Sequence, residues 1–128
     1  MHFPRFLWAV PIATTLSLAS VADAHPRLMS ATPAPNSVVA APSRIALRFS
    51  EKLIGPMTAA DVMMTGTPGK PSHQPVKVAD FKAALAADGK ALVLARAKPL
   101  PAGTYRVAWH AVSVDTHRVA GAFAFSVK

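Results

Sequence analysis

Apolar and polar residues alternate in several short runs along this chain, and a two-residue period marks strands with one buried and one solvated face. Ile45, Leu47 and Phe49 alternate with Arg44, Ala46 and Arg48, and Tyr105, Val107 and Trp109 alternate with Arg106, Ala108 and His110. Phe123, Phe125 and Val127 repeat the pattern at the end of the chain. Asp88-Gly89 is a tight-turn pair, and the alternation of Leu92 and Leu94 after it reads as a strand that closes a hairpin. Residues 76–78 suggest another short strand, and the apolar, methionine-bearing segment 57–67 leads into the loop TPGKPSHQP. Pro26, Pro33, Pro35 and Pro42 break any helical pattern near the start, so that region is expected to be short strand and turns. One helical turn fits residues 83–87, but no long amphipathic helix and no internal repeat is visible. About seven short strands, with turn signals every eight to twelve residues or so, predict an antiparallel sandwich or a small Greek-key barrel.

The first twenty-four residues fall outside that pattern. Arg5 supplies a basic start, an apolar run follows from Phe6 through Leu18, and Ala22-Asp23-Ala24 forms a small-residue cleavage site, the physical pattern of a signal peptide. The run is too short and too poorly flanked for a membrane span. Residues 1–24 are therefore expected to be removed, leaving 25–128 as one small domain that begins at His25 and is exported to the periplasm. That domain is near the size at which a single core suffices, and without cysteine it has neither disulfides nor thiolate ligands. The net charge of +8 favours acidic surfaces or partners. Nucleic acid is not among the expected partners, because the basic residues are scattered along the chain from Arg27 to Lys128, without aromatic interleaving or a helix to enter a groove.

The chemistry concentrates in residues 109–121, WHAVSVDTHRVAG. Asp115 and His117 stand two apart, which in an extended segment puts a carboxylate and an imidazole on one face. If His25 opens the processed chain, it adds an α-amine and a second imidazole. Amine, imidazole and carboxylate donors suit copper(II), with zinc as the second choice. Pro26 has no N–H to deprotonate, so a metal held by His25 must find its remaining donors elsewhere.

Four stretches together, HPRLMSATPAPNS, IALRFSEKL, PLPAGTYRV and WHAVSVDTHRVAG, resemble the periplasmic copper-resistance protein CopC family over essentially all of residues 25–128. The resemblance implies an all-β, cupredoxin-like or immunoglobulin-like Greek-key β-sandwich or barrel. It implies Cu(II) bound by the amine and ring of His25 with Asp115 and His117, and Glu51 near that site outside the ligand set. A role in copper resistance and homeostasis follows, as a monomeric carrier or buffer serving a CopD-type membrane transporter, and not as an enzyme. The alternative is a copper monooxygenase, since lytic polysaccharide monooxygenases also hold copper through an N-terminal histidine. Some family members carry a second, Cu(I) site in a methionine-rich loop. Here only Met64 of that cluster is kept, Thr67 and Lys70 stand where thioethers are wanted, and Met57, Met63 and Met64 are expected to be core filler.

Overall fold

The computed structural model describes residues 25–128, so the expected signal peptide at 1–24 lies outside the described residues. Nine strands are assigned among them: β1 Leu28–Thr32, β2 Val38–Val39, β3 Arg44–Phe49, β4 Ala59–Gly66, β5 Val76–Lys77, β6 Lys82–Leu85, β7 Ala91–Ala95, β8 Gly103–Val112 and β9 Arg118–Val127. Two of these, β2 and β5, are two-residue pairings at sheet edges, and β5 is the short strand expected at residues 76–78. The strands form a four-stranded sheet in the order β1-β3-β7-β6 and a five-stranded sheet in the order β2-β9-β8-β4-β5. Neighbours are antiparallel except β2, which runs parallel to β9.

The core between the sheets is the set of alternating positions read from the sequence. Ile45, Leu47 and Phe49 of β3 and Leu92 and Leu94 of β7 face Val62, Tyr105, Val107, Phe125 and Val127 of the other sheet, all buried. Tyr105 and Phe125 are register partners with rings stacked 5.5 Å apart, and the Tyr105 hydroxyl donates to the Pro101 carbonyl at 2.6 Å, so its polar end is satisfied inside the core. Residues 83–87 do not form a helical turn. Ala83, Ala84 and Leu85 pair with β7, and the Ala86 amide closes a hairpin onto the Ala91 carbonyl at 2.9 Å. Gly89 occupies the turn at φ 72°, as the Asp-Gly signal predicts. The helix preference of alanine is small, and cross-strand bonds with a buried β7 override it.

Candidate metal centre

Three segments distant in sequence meet at one end of the sandwich. At the start of β1, Pro26 is fully buried, while the Arg27 amide donates to the Ser50 hydroxyl and the Ser50 amide to the Arg27 carbonyl, both at 2.9 Å. Beyond Ser50, Leu53 bridges Ser113, and the Val114 amide donates to the Lys52 carbonyl at 3.0 Å. The connection between β8 and β9 completes the set. The apolar wedge of Pro26 and the paired bonds at Ser50 are what hold a residue so near the expected mature terminus in place, since terminal residues are otherwise poorly ordered.

The rings of His25 and His117 thereby meet edge to face, with centroids 4.4 Å apart. His117 Nδ1 lies 3.3 Å from Asp115 Oδ2. Asp115 and His117 are indeed together, but an extended segment does not bring them there. A strand would leave two residues' rise, about 7 Å, between them. Residues 113–117 instead form a tight turn, in which the Thr116 amide donates to the Ser113 carbonyl at 2.8 Å, the Ser113 amide donates to the His117 carbonyl at 3.0 Å, and Thr116 adopts φ 72°. Side chains that alternation would only align are folded into contact.

Ser113 is 1% exposed, and its hydroxyl donates to Asp115 Oδ1 and lies 3.4 Å from the His117 carbonyl oxygen. That hydroxyl bond holds the Asp115 carboxyl below its ordinary range. Partial desolvation works against it, and the side chain and amide of His117 add to the lowering. The carboxylate is thus ionised at neutral pH and available to a cation. His25, His117 and Asp115 form a row of contacts and not a cage: among the described residues no group of three or more His, Asp or Glu side chains is arranged to hold a metal ion alone. A donor set drawn from this row needs a further ligand, and the amine that cleavage before His25 would create is adjacent to the row by covalent connection.

Glu51 is half-buried between Ser50 and Lys52, whose backbones bond to the other two segments. The methionines divide. Met64 packs against the core, as expected, but Met57 is 53% exposed in the short 3-10 turn Gly55–Met57, and Met63 points away from the core between inward-facing Val62 and Met64. Thr67 and Lys70 close a two-residue turn on each other through reciprocal backbone bonds of 2.8 and 3.0 Å. His110, on the face of β8 opposite Trp109, is half-buried beside Ala59 and Ala120, and not fully exposed as its alternation suggests. The sequence reading passed over Ser50 and Ser113. Ser113 had a local signal, since Ser-x-Asp is a common turn pairing; Ser50 had none, because its partner lies twenty-three residues away.

The family model of the CopC domain matches residues 28–128. The chain belongs to the CopC family. It is 49% identical to Copper resistance protein C of Escherichia coli over 113 residues, covering 88% of this chain and 89% of that one. It is 45% identical to Copper resistance protein C of Pseudomonas syringae pv. tomato over the whole of both chains. Among solved structures, the crystal structure of PcoC, a methionine-rich copper resistance protein from Escherichia coli, superposes with a TM-score of 0.74 at 48% identity, covering 82% of this chain and all of that one. CopC from Methylosinus trichosporium OB3b superposes with a TM-score of 0.64 at 26% identity, covering 81% and 94%. The CopC relatives thus share the two-sheet architecture, and the matched region includes the whole 113–117 turn.

Proposed function

We propose that this CopC-family chain is an exported copper-resistance protein that is cleaved after Ala24 and then binds one Cu(II). Its ligands are the amine and ring of His25 with Asp115 and His117. Glu51 lies beside the site without ligating. One observation carries the reading: His25, before β1, and His117, in the turn between β8 and β9, are in ring contact although far apart in sequence, with Asp115 already against His117. Imidazole, amine and carboxylate are the donors copper(II) favours, and the absence of cysteine leaves no thiolate to compete. Met64, the only retained residue of the methionine cluster, is packed on the core, which argues against a second, Cu(I) site. The protein acts in the periplasm as a monomeric carrier or buffer for a CopD-type membrane transporter.

It is a binding protein and not a monooxygenase. Asp115 would fill a position that oxygen chemistry needs open. The six aromatic residues between 25 and 128 are either buried or packed on the core, so they offer no flat platform for a carbohydrate. Peroxide formation by the copper-loaded protein with ascorbate would favour the enzyme reading.

The test is a competitive copper titration against a chromophoric chelator, on processed protein whose His25 start is verified by mass spectrometry and on the same protein with one Gly added before His25. The added residue keeps both rings and moves the amine away. Loss of even an outer partner of a metal ligand costs about 10- to 100-fold in affinity, so loss of the amine is expected to cost at least that. Equal affinities would remove the amine from the ligand set.

A further inference from the structure

Where β1 begins and β3 ends, Arg27 and Ser50 face each other, and the exchange between them is only half main chain. The Ser50 amide donates to the Arg27 carbonyl at 2.9 Å, but the Arg27 amide donates to the Ser50 hydroxyl, also at 2.9 Å, where a regular antiparallel pair would offer it the Ser50 carbonyl. The backbone bends at Ser50 and Glu51 and crosses to the β8–β9 connection, where the Lys52 carbonyl accepts from the Val114 amide. The hydroxyl therefore stands in for an acceptor that the bend takes out of the ladder. On the other side of Arg27, Pro26 is fully buried and has no N–H to leave unsatisfied. His25 precedes it, with its ring against His117. We infer that Ser50 is a positioning residue for the copper site: by accepting the Arg27 amide, its hydroxyl anchors the arm 25–27 and sets His25 beside His117 before a metal arrives.

This rests on the copper reading above, but its first consequence is independent of metal. Terminal residues are poorly ordered unless tied down, so so short an arm is sensitive to a single bond. An arm already held by the fold does not have to be ordered by the metal, and affinity for a site that is only partly formed falls with the fraction formed. The bond between Arg27 and Ser50 lies near solvent, so its loss is expected to raise the open population of the arm by the factor of an ordinary hydrogen bond, about 2- to 10-fold.

The test begins without copper, on protein verified by mass spectrometry to start at His25. An aminopeptidase specific for X-Pro bonds can remove His25 only from the open arm, so its rate reports the open population when cleavage is slow relative to closing. Release is expected to be slower from the wild type than from a free peptide with the same first residues, about 2- to 10-fold faster in Ser50→Ala than in the wild type, and near the wild-type rate in Ser50→Thr, which keeps the hydroxyl. Wild-type release as fast as from the peptide, equal rates in wild type and Ser50→Ala, or a Ser50→Thr rate equal to that of Ser50→Ala each overturn the inference. Copper titration follows on the same proteins and on a variant with Gly added before His25→Ala, which removes ring and amine together, with and without Ser50→Ala. Ser50→Ala is expected to lose about 2- to 10-fold in Cu(II) affinity where His25 is intact and to change nothing where it is replaced, because the serine acts through His25. No loss in the first case, or an equal loss in the second, overturns the inference. The expected release rates in a protein that takes up no copper overturn the copper reading alone and leave the anchored arm standing.

Discussion

Thr116 shows how local conformation, more than residue type, makes this site. A β-branched residue at φ 72° is sterically disfavoured, by about 1–2 kcal/mol, and is held here by the bonds of the turn and by its own hydroxyl on the Asp115 carbonyl at 2.6 Å. Thr116→Gly is therefore expected to keep the fold and raise the thermal midpoint of the copper-free protein slightly, because the relief outweighs the extra freedom glycine brings to the unfolded chain. A lowered midpoint in calorimetry would mean that the hydroxyl bond dominates. The pairing of Asp115 with His117 was legible in the sequence, but the reason read for it was wrong. Alternation along an extended segment shares a face, whereas only a left-handed residue between them brings the groups to 3.3 Å. Two other aspartates carry a pH prediction. Arg48 donates to Asp88, and Arg96 to Asp80, and both carboxyls lie below the ordinary value of 3.8. Because their folded values are depressed, the stability they add is complete above the unfolded value and is lost as pH falls through the folded one. Denaturant melts from pH 5 down to pH 2 should show stability dropping below about pH 4, and Asp88→Asn should flatten part of that drop. An unchanged profile in the variant would show that the exposed pair is screened out.

At the scale of elements, alternation found the strands that have one buried face, β3, β7, β8 and β9, because burial of that face decides their conformation. It had no purchase on β2, whose two residues are defined by the neighbour they bond to, whereas β5 falls within the short strand read at residues 76–78. It misjudged 83–87, where a weak alanine preference opposed a strong pairing. The β8–β9 hairpin carries the proposed site at its tip, and its register is held by close packing between Trp109 and its cross-strand partner Gly121. A Cβ at 121 would stand 2.6 and 2.9 Å from ring atoms of Trp109, which also meets Phe49 edge to face at 5.1 Å. Gly121→Ala is thus expected to destabilise the protein by about 1–3 kcal/mol, the usual cost of overpacking, and to shift the fluorescence of Trp109, the sole tryptophan of residues 25–128. An unaltered melt with unaltered emission would mean that the indole moves aside freely.

At the scale of the whole molecule, the site is a product of topology. The sheet orders bring the start of β1, the segment after β3 and the β8–β9 tip to one end, and no local pattern in the chain announces that meeting. Composition and spacing alone left the metal open between copper and zinc; family resemblance, carried by four separated motifs, linked His25 to the Asp-Thr-His turn, and the ring contact between His25 and His117 gives that link a physical form. A site joining segments this far apart in sequence, as proposed, couples metal binding to global folding. Cu(II) that binds only the folded chain adds about 2.7 kcal/mol of stability when free copper is 100 times its dissociation constant. For a domain of this size that amounts to a midpoint rise of roughly 10–20 °C. The proposed imidazole and amine ligands bind a metal only without their protons, so protons compete with copper for them. Affinity should therefore fall steeply as the pH is lowered from 7 to 5, and the copper-induced rise in midpoint, followed by Trp109 emission at fixed copper, should shrink with it. A copper-induced rise of the same size at both pH values would mean that carboxylates alone carry the metal, and would take His25 and His117 out of the site.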